Sequence, residues 1–153
     1  MMAGGTGLYP FSDTIDLLYK EHLVSSGHSL AAAAKQLDPL VGNNPFNNFK
    51  FTLYIAVNEL DELHPITLFQ CNELAKVGKL DCHAKIKHFD KKTIQEQYGN
   101  IKLFENRFDV AIKNEMKEGE VSQFCVCGPT RFSKALLECY EEIGLEPERY
   151  RII

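Results

Sequence analysis

The sequence predicts an α/β domain, a parallel sheet flanked by helices in three layers. Three observations carry that expectation. Short apolar, β-prone runs alternate with segments of helical period, and the intervening stretches are long enough for crossover connections. A glycine-rich turn, Gly4-Gly5-Thr6-Gly7, opens directly into a helical pattern, and a second sharp break, Gly128-Pro129, ends the last clear apolar run. The chain's 153 residues amount to one domain, large enough to bury a core without disulfide staples.

The elements follow in order. Ala3-Gly4-Gly5-Thr6-Gly7-Leu8-Tyr9-Pro10-Phe11 combines a turn that tolerates φ > 0 with a helix N-terminus, the outline of a phosphate cradle. Pro10 suits the first helical turn, and the helix runs from about Pro10 to Leu23 on a stripe of Phe11, Ile15 and Leu18, ending near Gly27. Only Met1, Met2 and Ala3 precede Gly4, so the first strand reads as cut short and the chain as the C-terminal portion of a longer protein. Ser25 to Asn48 reads as an irregular, partly ordered insertion in which Ala31 to Ala34 form at most a short helix before Asp38-Pro39 and Gly42-Asn43-Asn44-Pro45 break it.

Phe51 to Val57 is a nearly continuous apolar run, as for a central strand covered on both faces. Asn58, Glu59, Asp61 and Glu62 form a polar loop at its carboxyl end. A helix over Ile66 to Lys76 is expected to turn Ile66, Phe69, Leu74 and Val77 to the core and to stop at Gly78. Leu80 to Phe89 alternates through Cys82, Ala84, Ile86 and His88 and reads as a third strand. Gly99-Asn100-Ile101 precedes a helix from about Phe104 to Met116, striped by Phe104, Phe108, Ala111 and Ile112 and followed by Gly119. Val121 to Cys127 is the last clear strand, Thr130 to Ile143 a helix with Phe132, Ala135, Leu136 and Cys139 facing inward, and Pro147 to Ile153 a final strand. Ligands of such sheets sit beyond the carboxyl ends of the strands, where both glycine turns fall.

Composition narrows the function classes. Seventeen basic against 21 acidic residues give a net charge of −4, which argues against a nucleic-acid partner. No apolar run approaches a membrane span, no leader pattern opens the chain, and five cysteines without a regular framework fit a reducing, cytoplasmic setting. Cys82-His83 with His88 and Cys71 match no zinc spacing, and adjacent Cys82 and His83 face opposite sides of a strand, so no metal site is expected. The turn lacks the Gly-Lys-Ser/Thr ending of an ATP-binding loop. Lys85, Lys87, Lys91 and Lys92 form a small basic patch that reads as a solvated strand face, the alternative being a dock for an acidic electron-transfer partner.

Taken together, Ala3 to Phe11 and Val126-Cys127-Gly128-Pro129 followed by a helix resemble the pyridine-nucleotide-binding domain of the ferredoxin-NADP reductase superfamily. The likeness is to the NADH-dependent branch with cytochrome b5 reductase and the flavin part of nitrate reductase. It extends to Phe51–Asn58, Ile66–Leu74 and Gly99-Asn100-Ile101. The resemblance implies a Rossmann-like domain in which Gly5, Thr6 and Gly7 lie along the nucleotide pyrophosphate and nicotinamide ribose, and in which Gly4, Tyr9, Pro10, Asn58, Gly128, Pro129 and Phe132 also contribute to the cofactor site. It further implies that Cys127 sits beside the nicotinamide C4 and the flavin ring, placing the ring for hydride transfer. The acidic loop after the second strand favours NADH over NADPH, whose 2′-phosphate needs cations. This chain departs from the pattern at Thr130 and Phe132, where the family often has proline and methionine, and in ending Arg151-Ile152-Ile153 with Tyr150 the nearest aromatic residue. The family's flavin-binding barrel is absent, so the implied whole is an FAD protein that passes electrons to a haem or iron acceptor. The rival expectation is a non-enzymatic nucleotide-binding or interaction module presenting the 25–48 insertion to a partner.

Overall fold

The computed structural model describes residues 1–38, 40–42, 49–88, 90–104, 113 and 123–153. It is a Rossmann-like α/β fold whose six strands are all parallel. Strand β1 (Met2–Gly4) leads through a 3-10 turn (Gly5–Leu8) into α1 (Tyr9–Ser25) and α2 (Ala31–Leu37). Then come β2 (Phe51–Glu59), a 3-10 turn (Leu60–Glu62), α3 (Pro65–Lys76), β3 (Leu80–His88), α4 (Lys91–Gln97) and β4 (Lys102–Leu103). The described chain resumes with β5 (Phe124–Cys127), α5 (Thr130–Glu142), a 3-10 turn (Pro147–Arg149) and β6 (Tyr150–Ile152). The strand order is β4-β3-β2-β1-β5-β6.

The period of two along each strand divides the core into two layers. Ala3 of β1, Leu53, Ile55 and Val57 of β2, and Leu80, Cys82, Ala84 and Ile86 of β3 face one side, under Phe11, Ile15 and Leu18 of α1 and Leu68, Cys71 and Leu74 of α3. Met2, Tyr54, Phe124 and Val126 face the other, under Leu136, Cys139 and Tyr140 of α5. Although β1 has three residues, it lies between β2 and β5 and pairs with both, Ala3 standing opposite Ile55 and Cys127. The terminal amine of Met1 donates to the Thr52 carbonyl at 2.7 Å and continues that pairing.

The structure corrects several sequence expectations. Helix α3 is rotated from its expected phase: Leu74 is buried, but Ile66, Phe69 and Val77 are 61%, 50% and 44% exposed, and Leu68 and Cys71 take the core positions. The segment holds two overlapping apolar stripes, and the one that faces the sheet continues the buried Leu63 of the preceding turn. In α5, Ala135 is exposed and Tyr140 is the buried residue instead. His88 is exposed at the end of β3, one step beyond the buried Ile86.

The described part of the 25–48 insertion is ordered against α1 rather than irregular. Ala34 of α2 and Val41 are buried, the Glu21 carboxylate accepts from the Gly42 amide at 2.6 Å, and Lys20 reaches Asp38 at 3.3 Å. Helix α4 and the two-residue β4 were not expected. The side chain of Asp90 caps α4 by accepting from the Lys92 amide, an N-cap signal followed by the buried Ile94. The remainder of the insertion, Phe89, the expected helix beyond Phe104 apart from the helical Lys113, Gly119 and the start of the Val121 strand lie outside the described residues.

Candidate functional site

The chain leaves β1, crosses through α1 and returns on one side as β2, whereas β5 lies on the other side of β1. The order therefore reverses between β1 and β5, and the connections that follow these two strands diverge at their carboxyl ends. The loop after β1 is Gly5–Leu8 and the loop after β5 is Gly128-Pro129, so two sequence motifs 120 residues apart become neighbours.

Each glycine there has its own reason. Gly5 has φ +55° with open space where a side chain would begin, so its requirement is conformational. Gly7 is a matter of approach: a Cβ would lie 2.1 Å from the Cys127 carbonyl oxygen and 2.8 Å from the Gly128 Cα. Gly128 in turn lies against the backbone of Gly4, its Cβ position 3.1 Å from the Gly4 nitrogen. The ring of Phe132 packs over both, 2.9 Å from the Cβ position of Gly4 and 2.8 Å from that of Gly128. Phe132 is thus brought to the loop, half-buried in the α5 layer as a packing residue.

The Gly5–Leu8 turn runs without a break into α1, with Pro10 in the opening turn of that helix. Gly4 begins the turn in extended conformation, and no side chain caps it. Helices usually satisfy their first N–H groups with a Ser, Thr, Asp or Asn, so this uncapped start leaves donors and the positive end of the peptide dipoles to another partner. Thr6, Tyr9, Pro10 and Pro129 are exposed around it. The arrangement is suited to receiving an anionic oxygen.

Cys127 is half-buried on the α1/α3 side of the sheet, and Cys125 lies on the same side, as strand alternation requires. Asn58 is exposed at the end of β2, and its amide donates to Glu62 Oε1 at 3.1 Å, as does that of Glu59. Glu59 and Glu62 form a reciprocal capping box around the Leu60–Glu62 turn. The acidic loop is thereby a fixed turn, and it carries Glu62 to a narrow cleft shared with Gly5, Thr6 and His64. Sequence reasoning passed over Leu63, His64 and Thr67, which line the same cleft. The available signal was Pro65, an N1 proline that starts α3 beside the strand ends.

Gly99-Asn100-Ile101 has a structural part. Asn72, buried on α3, accepts from both the Asn100 amide (3.0 Å) and the Asn100 side-chain nitrogen (3.2 Å), pinning this loop to the helix. Cys82 packs in one layer while His83 stacks on Tyr54 in the other at 4.8 Å. The Cys82 thiol is pushed up by its hydrogen bond with Cys71 and by burial. Among the described residues no three His, Cys, Asp or Glu side chains are grouped to hold a metal ion, and no helix is long and apolar enough to cross a membrane.

No protein-family model, curated protein or solved structure matches the chain. The reading of the site therefore rests on geometry and on the sequence motifs.

Proposed function

We propose that this chain is the NADH-binding domain of a flavin-dependent oxidoreductase, holding the dinucleotide across the meeting point of the loops after β1 and β5. The observation that carries the reading is the junction itself: an uncapped helix start at Gly5–Leu8, seated against the Cys127–Gly128 backbone where the parallel sheet reverses its order. The Gly5, Thr6 and Gly7 amides would hold the pyrophosphate. Glu62, at the same cleft, would accept from a ribose hydroxyl and repel a 2′-phosphate, which favours NADH over NADPH. Cys127 and Gly128 would fix the position of the nicotinamide face.

Bound NADH supplies a hydride, and the protein's part is orientation and exclusion of water. The flavin, on a separate FAD domain, and the haem or iron acceptor beyond it follow from the motif resemblance alone. Calorimetric titration of the folded chain with NADH and separately with NADPH tests the binding half of the proposal. The expected result is saturable NADH binding and weaker NADPH binding. Absence of binding to both, with a cooperative thermal melt, would overturn it. Joining an FAD-binding barrel of this superfamily to the chain tests the catalytic half: NADH-dependent bleaching of the flavin is expected. Binding without bleaching would favour the non-enzymatic module.

A further inference from the structure

Helix α3 keeps an apolar stripe on its outer face. Ile66, Phe69 and Val77 fall at i, i+3 and i+11, on one side of the helix, and each is 44% exposed or more, although Leu68, Cys71 and Leu74 already fill the core beneath it. The stripe continues onto α1. Tyr9, itself 56% exposed, lines one cleft with Ile66, and Tyr19 meets Phe69 edge to face at 6.0 Å. Scattered single apolar side chains are normal on a surface, whereas a ridge that runs the length of a helix and onto its neighbour marks a place where another surface sits.

Charge along the ridge selects the occupant. Asp13 stands exposed at the Ile66 end, in the same cleft, and Lys76 and Lys79 stand exposed at the Val77 end. None of the three has an ion-pair partner among the described residues, since Lys20 is the cation that neutralises Asp16 and Asp38. A ridge that is negative at one end and positive at the other repels a copy of itself laid in the same direction and attracts one laid in reverse. Reversal is what a two-fold axis produces, and an apolar stripe matched to itself is the isologous contact of a two-fold dimer. With Ile66 against the second copy's Val77, the half-buried Glu73 falls opposite the second copy's Gln70, an amide, and not opposite its own counterpart.

We propose that the outer face of α3 is a self-association surface on which two copies of the chain pair about a two-fold axis, the Asp13 of each meeting Lys76 and Lys79 of the other. A helix of 12 residues is about 18 Å long, which places the contact at the small end of specific interfaces, and the dimer is weak, with a dissociation constant on the order of micromolar. The pairing does not depend on the dinucleotide reading.

Sedimentation velocity of the chain over concentrations from about 1 to 100 μM tests this. The parent is expected to pass from monomer to dimer across that range. Phe69→Glu, at an exposed position in the middle of the stripe, is expected to weaken pairing at least about tenfold. Asp13→Lys alone should weaken it as well, and combining it with Lys76→Glu and Lys79→Glu should restore it, because the swapped ends attract again. Restoration is a result that loss of folding does not produce, and melting temperatures equal to the parent's confirm that each variant is folded. A parent that stays monomeric throughout, a dimer indifferent to Phe69→Glu, or a charge swap that fails to restore pairing would overturn the proposal.

Discussion

Gly7 has no room for a side chain because the carbonyl of Cys127 occupies it: a Cβ on Gly7 would stand 2.1 Å from that oxygen. The obstacle is backbone at the end of β5, which cannot rotate away as a side chain would. We expect Gly7→Ala to destabilise the fold by about 2–4 kcal/mol, at or above the upper end of ordinary overpacking, because the two central loops must separate. Gly5→Ala should cost only about 1–2 kcal/mol, since it adds left-handed backbone strain at φ +55° without a clash. Urea unfolding of the two variants checks the order. Equal midpoints would show that the loop contact is slack.

The Asn72–Asn100 pair makes a second expectation. Asn72→Leu removes the one acceptor that receives both Asn100 donors. Loss of about 1–3 kcal/mol should follow, with faster hydrogen exchange at the Asn100 amide than at neighbouring α3 amides. Unchanged exchange there would show that the loop is held by other contacts.

Much of the architecture was legible. Phe51 to Val57 and Val121 to Cys127 announced strands because their runs are short and β-prone, Leu80 to Phe89 did so by alternation, and Gly27, Gly78 and Gly144 stop their helices at φ of 68°, 71° and 69°. The phase of α3 was not legible, because Ile66, Phe69 and Val77 compete with Leu68 and Cys71 and only packing against the sheet decides between them. The short helix at Ala31 to Ala34 was legible, but the burial of Ala34 and Val41 was not, because it depends on contacts with α1 that local sequence does not encode. At the candidate site, the glycines declared themselves, but only the folded arrangement separates Gly5, which needs its φ, from Gly7 and Gly128, which need space.

Stability toward acid should depend on Asp81. Burial raises its carboxyl, but the hydrogen bond from Lys102 and the nearby His83 outweigh burial and hold it below the ordinary 3.8. A depressed carboxyl stabilises the fold above the unfolded value, and that contribution is lost as pH falls through the folded one. Lys102→Met should therefore lower stability most near neutrality and flatten the acid limb of the stability curve, so that the difference from the parent shrinks as pH falls below about 4. Urea midpoints measured across that range check it, and parallel curves for the two proteins would contradict it.

Tyr140 gives the alkaline counterpart. Its buried hydroxyl donates to the Met2 sulfur at 3.4 Å, and desolvation pushes it well above the ordinary 10.0. The unfolded chain then loses this proton first, so stability falls as pH rises above about 10. Tyr140→Phe should remove that dependence while changing stability near neutrality by less than about 1 kcal/mol, because a thioether is a weak acceptor. Absorbance titration of phenolate checks it: the parent should show one more tyrosine that ionises only on unfolding than the variant does.

The uncapped turn at Gly5–Leu8 is most directly tested by placing a negative charge on it. Thr6 is exposed there, and an aspartate in a first helical turn favours the helix while repelling a bound phosphate. The measurement is calorimetric titration of the parent and Thr6→Asp with NADH, alongside their melting temperatures. The proposed cradle requires saturable binding by the parent and at least about tenfold weaker binding by a variant that melts no lower. Equal binding by the two proteins, or none by a folded parent, would contradict it.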